Sequence, residues 1–137
     1  MKSVRWKTAL VLAAAAAIGW AGLTRLAAQQ APSVKRNIVL KQDSTIPGRE
    51  VVMAAVEIPP GGREGRHTHP AEVYAFVLEG EIVVDREGEP TRTFKAGEVF
   101  SVKPGKIHEG HNEGTTPVKI DAVFVAEKGK PLTTQVQ

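Results

Sequence analysis

Between residues 37 and 128 no apolar stretch keeps a 3.6-residue period for three turns; apolar residues come in short runs cut by glycine, proline and charged pairs. A chain written this way folds as strands. The runs NIVLKQ, EVVMAAVEI, EVYAFVLEG, EIVVDR, TRTFK, EVFSVK and VKIDAVFVAE are the candidate strands, and IPG, PPGG, EGEP, KAGE, KPGK and NEGTTP are the turns between them. Alternation puts Val52, Ala54, Val56 and Ile58 on one face of their strand, and Val118, Ile120, Ala122 and Phe124 on one face of the last. YAFVL is apolar at every position, which predicts a central strand covered on both sides, with Tyr74 and Phe76 packed between sheets. Strands this short and this numerous leave open edges in a single sheet, so a sandwich or barrel is the economical closure. With 137 residues and 42% apolar content, the expectation is one domain with its own core.

The first thirty residues follow a different rule. Lys2, Arg5 and Lys7 precede TALVLAAAAAIGWAGLT, which carries no charge, and Arg25, Ala27 and Ala28 follow it. Basic, apolar, then small is the order of a secretory signal, here ending at Ala28. The alternative is a membrane anchor over 8–24, although a helix of that length reaches about 26 Å against a hydrocarbon core of roughly 30 Å. The expected organisation is a signal or anchor over 1–28 forming a hydrophobic N-terminal helix, a flexible linker over 29–36, a β-barrel over 37–128 and a tail over 129–137. The protein is then exported, periplasmic or secreted, and touches a membrane only through the N-terminal segment if that is retained.

The leader also carries the charge. It holds four of the 18 Lys and Arg and none of the 15 Asp and Glu, so its removal leaves 14 basic against 15 acidic residues. No basic stripe interleaved with aromatic residues remains, which argues against nucleic acid as a partner. The absence of cysteine excludes disulfides, zinc–thiolate sites, iron–sulfur clusters and cysteine nucleophiles.

All four histidines fall in two clusters, His67 with His69 and His108 with His111, each after a glycine-rich turn and beside an apolar strand. On an extended chain residues i and i+2 point the same way, about 6.6 Å apart, so two imidazoles can tilt onto one ion. His108 from another strand would complete a facial set of three neutral nitrogen donors, with the opposite positions open to water or substrate. His111, three residues on, falls to the other face and is expected on the surface or in a loop, whereas Asn112 returns to the side of His108.

These residues resemble the cupins, in particular the small single-domain kind. Gly61, His67, His69 and Gly80 match the first cupin motif, and Gly97, Gly105, His108 and Asn112 match the second with correct spacing. Two positions depart: Lys103 stands in place of a proline, with Pro104 one residue late, and Val73 stands in place of the glutamate ligand. The resemblance covers roughly Val51 to Phe124 and implies an all-β, cupin-like double-stranded β-helix, a jelly-roll barrel, often paired as a homodimer.

Glu72 neighbours the vacant position, but a one-residue shift reverses the face of a strand, so it serves as a ligand only if a bulge after Pro70 and Ala71 re-aims it. The favoured metal set is His67, His69 and His108, with Glu72 as the lesser candidate. One divalent transition metal (iron, manganese, zinc, nickel or copper) suits these donors. Three neutral ligands leave the ion its full +2 charge, which favours a small anionic ligand. The resemblance implies chemistry like that of the cupin dioxygenases that use histidine alone. The alternatives are a non-catalytic module for binding or sensing a small ligand, and a metal-free structural barrel. The sequence singles out no proton-transfer base, Glu98 and Glu109 are expected to be solvated, and Glu87 and Glu89 sit in a hairpin turn.

Overall fold

The structure is a computed structural model that describes residues 32–137. The expected leader and anchor over 1–28, its helix included, lie outside the described residues. Among the described residues no helix is long and apolar enough to cross a membrane.

The chain forms ten strands: β1 (Lys35–Asp43), β2 (Arg49–Ile58), β3 (His67–Thr68), β4 (Ala71–Glu79), β5 (Glu81–Arg86), β6 (Arg92–Lys95), β7 (Val99–Val102), β8 (His108–His111), β9 (Val118–Glu127) and β10 (Thr134–Gln135). They make two antiparallel five-stranded sheets, in the orders β1-β2-β9-β4-β7 and β10-β3-β8-β5-β6. Each strand-like run of the sequence is a strand here. The three additions, β3, β8 and β10, are short, and two of them carry the histidines.

Alternation sets the core as expected. Val52, Ala54, Val56 and Ile58 of β2 and Val118, Ile120, Ala122 and Phe124 of β9 are buried, facing Ile82, Val84 and Phe94 of the second sheet. The prediction for β4 needs correction. Ala71, Val73, Ala75 and Val77 are buried, but Tyr74, Phe76 and Leu78 are 46%, 42% and 43% exposed. No second layer of described residues covers the outer face of this sheet, so the apolar residues there meet solvent instead of packing between sheets. Sequence alternation fixes which residues share a face, not whether that face is covered.

Two backbone features position the site. At the β4–β5 turn Gly80 adopts φ of 77°, and a Cβ there would stand 2.9 Å from the carbonyl oxygen of Pro117. No other residue fits that turn without displacing the start of β9. The segment just before β3 then lies along β8 and the residue after it: Glu64 N donates to Gly110 O, Gly61 N to Asn112 O and Asn112 N to Gly62 O, each at 3.0 Å.

Candidate metal centre

Strand register brings the histidines together. His67 of β3 and His108 of β8 are direct cross-strand partners, and His69 follows His67 by two residues, so all three rings leave on the inner face. Their ring centroids lie 4.3 Å (His67–His108), 4.7 Å (His67–His69) and 5.1 Å (His69–His108) apart. All three are buried, and one nitrogen from each falls within 4.8 Å of the others.

The hydrogen bonds fix which nitrogens those are. Nδ1 of His67 donates to Gly65 O at 2.7 Å, Nδ1 of His69 to Leu132 O at 2.7 Å, and Nδ1 of His108 to Lys106 O at 2.9 Å. A carbonyl only accepts, so each Nδ1 carries the proton and each Nε2 of a neutral ring carries a lone pair. Burial pushes the pKa of His69 down to about 4; the Leu132 carbonyl opposes this, and the neighbouring histidines and Arg36 reinforce it. Burial likewise holds His108 at about 4 against the Lys106 carbonyl. Near neutral pH His69 and His108 are therefore uncharged.

With His67 in its neutral form as well, two lone pairs face each other. Nε2 of His67 lies 3.1 Å from Nε2 of His69, and with both protons on Nδ1 no hydrogen bond joins them. A cation between them resolves the repulsion. That separation would suit two nitrogens held as neighbouring ligands of one ion. The donor set fits a divalent transition metal, with its second sphere already in place as the three carbonyls.

The surroundings are apolar. Phe124 meets the His69 ring edge-on with centroids 5.0 Å apart, and Val56, Ile82, Val84 and Ile120 line a cavity of about 40 Å³ above the triad. Two charged residues that the sequence did not single out also reach it, Arg36 and Glu64, paired at 2.7 Å. Glu64 carries a detectable signal, since it lies three residues before His67 in a turn that precedes the site. Arg36 carries none, because its place depends on how β1 docks.

Glu72 lies elsewhere. The β4 register runs without irregularity from Ala71 to Val77, so no bulge re-aims it; its side chain is exposed and accepts a hydrogen bond from the Tyr74 hydroxyl at 2.8 Å. Val73 points inward and is buried, so that position offers no oxygen donor. His111 is outside the triad, as spacing predicts, but it is buried and not on the surface. The irregular segment around Arg63 bridges to it and covers it, and its Nε2 meets Glu113 at 3.0 Å. Glu109 is likewise less solvated than expected, its carboxylate held by both Nε and Nη2 of Arg63 at 2.9 Å. Asp85, Glu109 and His111 form a second grouping of donor atoms, but one in which Glu109 already serves Arg63. Asn112 is structural: its amide donates to Ile58 O and Thr116 O, and its oxygen accepts from Gly114 N.

A jelly-roll barrel with a histidine triad on its inner face defines a class, and the family comparison agrees. The model of the cupin domain matches residues 54–125, over half of the chain, and the protein belongs to the cupin family. Among curated proteins it is similar to germin-like protein subfamily 2 member 2 of Arabidopsis thaliana, 36% identical over an alignment of 79 positions that covers 54% of this chain and 36% of that protein. The chain thus spans little more than a third of that relative. Among solved structures it is similar to oxalate oxidase in complex with the substrate analogue glycolate (30% identity, TM-score 0.57, 63% of this chain and 46% of that one). A double-stranded beta-helix protein from Klebsiella pneumoniae subsp. pneumoniae matches in fold (22% identity, TM-score 0.64, 77% of this chain and 85% of that one).

Proposed function

We propose that the protein is an exported cupin that binds one divalent transition metal at His67, His69 and His108 and holds a small anionic ligand on it. The carrying observation is the 3.1 Å approach of two Nε2 lone pairs, each oriented by a carbonyl behind its ring. Export is supported by the basic, apolar, small order of residues 1–28. When bound, an ion with three neutral ligands supplies undiminished positive charge for an anionic donor and, as iron, manganese or copper, a redox centre.

Oxidation with dioxygen, as in a three-histidine dioxygenase, is the reaction class this site favours, in keeping with the oxalate oxidase likeness. A second reading, a non-catalytic binder or sensor of a small ligand, is favoured by the cavity. Its volume of about 40 Å³ lies beside the three histidines, with Arg36 and Glu64 as the charged side chains of its lining. The exposed outer face of β4, with Tyr74, Phe76 and Leu78, offers the apolar surface on which a homodimer would form.

Elemental analysis of protein made without residues 1–28 tests the metal, repeated for His67→Ala and His108→Ala. About one ion per chain is expected in the parent and almost none in the variants. Equal content in all three removes the site. Oxygen uptake on adding candidate diketones, thiols or small carboxylates separates an enzyme from a binder.

A further inference from the structure

Apart from the histidines, the described residues around the cavity include two that are charged, Arg36 and Glu64. Arg36 Nη2 donates to Glu64 Oε1 at 2.7 Å. The barrel leaves a space for the carboxylate. Gly110 follows His108 by two residues on the inward face of β8, and a Cβ there would stand 2.6 Å from Glu64 Oε2 and 2.9 Å from Ile82 Cδ1. Any other residue at 110 would take the space the carboxylate occupies. The glutamate backbone is tied to the same residue through Glu64 N to Gly110 O.

Arg36 is held less firmly. It comes from β1, an edge strand paired only with β2 and exposed along its whole length. Its side chain is 32% exposed, that of Glu64 14%. The guanidinium is therefore the freer partner, and no other Lys or Arg among the described residues lines the cavity.

We infer that Arg36 is the anion-binding residue of this cavity and that Glu64 is its built-in competitor, so that a small carboxylate enters by taking the guanidinium over from Glu64. The class follows from geometry. A guanidinium presents a planar fork matched to a carboxylate, and its present partner already is one. A thiolate or hydroxide would use one arm of that fork. Space follows the same exchange, because the Glu64 carboxylate vacates its place over Gly110 when the ligand takes the guanidinium. This inference rests on the proposed ion at the triad, which would take a second donor atom of the ligand.

The test is calorimetric titration of full-length, zinc-loaded protein with glycolate, using ethylene glycol as the uncharged control and metal content measured on every sample. Arg36→Gln weakens glycolate binding by about tenfold or more, the usual loss for a hydrogen-bonded charge, and Arg36→Lys recovers only part of it. Glu64→Gln strengthens binding by about fivefold, since a partly exposed ion pair no longer competes. A residue that merely supports the fold would weaken binding when changed, so the opposite sign at Glu64 is the decisive reading. Parent-like binding in Arg36→Gln, unchanged or weaker binding in Glu64→Gln, or no glycolate binding by the parent overturns the inference while full metal content leaves the metal reading standing. Loss of zinc from the parent itself overturns the metal reading instead, and the same titrations on the metal-free protein then decide the fate of Arg36. Should Arg36→Gln fail to fold, the sign at Glu64→Gln decides alone.

Discussion

Ending the chain after Pro131 removes the contact that orients one proposed ligand. It removes the Leu132 carbonyl that accepts from His69 Nδ1 at 2.7 Å, the Thr133 hydroxyl at 3.3 Å, and β10, which pairs with β3 through Thr134 and Gln135. The fold should survive. β10 is exposed, and the main apolar loss is half-buried Leu132, which packs against the core from its edge. That is worth about 1–2 kcal/mol of a total of about 5–15 kcal/mol. The site should not survive intact, because His69 would lose what fixes its tautomer and ring angle while His67 and His108 keep their carbonyls. Loss of such an outer partner lowers metal affinity about 10–100-fold. Zinc affinity measured by chelator competition, with urea unfolding on the same samples, separates the two effects. Thr133→Val is the control and should change affinity less than about twofold, since only the weaker contact is removed. A folded, truncated protein that binds zinc as tightly as the parent would refute the reasoning, because solvent would then hold His69 as well as Leu132 does.

Two further outcomes follow from named contacts. Asn112→Ala should lower stability by about 2–4 kcal/mol, because two carbonyls and one amide lose a buried partner, while zinc stoichiometry stays near that of the parent; urea midpoints and elemental analysis report both. In metal-free protein the folded pKa of His69 and His108, about 4, lies below the ordinary value of 6.5, so the unfolded chain binds protons more readily. Stability should be flat above pH 6.5 and fall as pH drops from there toward 4; urea midpoints that hold constant across that window would contradict it.

The triad was legible because two local rules meet in it. Residues 67 and 69 share a face in any extended chain, and a second glycine turn before His108 marks another strand entering the same end of the barrel. What the sequence does not contain is the register that makes His67 and His108 partners, since pairing between distant strands leaves no periodic trace. His111 was misjudged for a related reason: alternation correctly sent it to the outer face, but the segment that covers it, around Arg63, has no strand-like pattern. Tyr74 and Phe76 show the converse, an apolar face with nothing from the described residues laid over it. Arg36 and Glu64 meet across the mouth of the cavity only because β1 docks beside β2, a fact of tertiary packing. At the Val73 departure, the unbroken alternation of β4 buries Val73 in the core and leaves Glu72 facing solvent.

The pairing of His67 with His108 also sets an order of events. The first segment alone offers an ion only two imidazoles, and the third lies beyond β4 to β7, so the full set exists only once β8 is paired with β3. Tight capture must wait for barrel closure. Because imidazole donors alone discriminate poorly among late first-row ions, the metal acquired would then reflect which ions are abundant in the compartment where folding finishes, more than any preference written into the ligands.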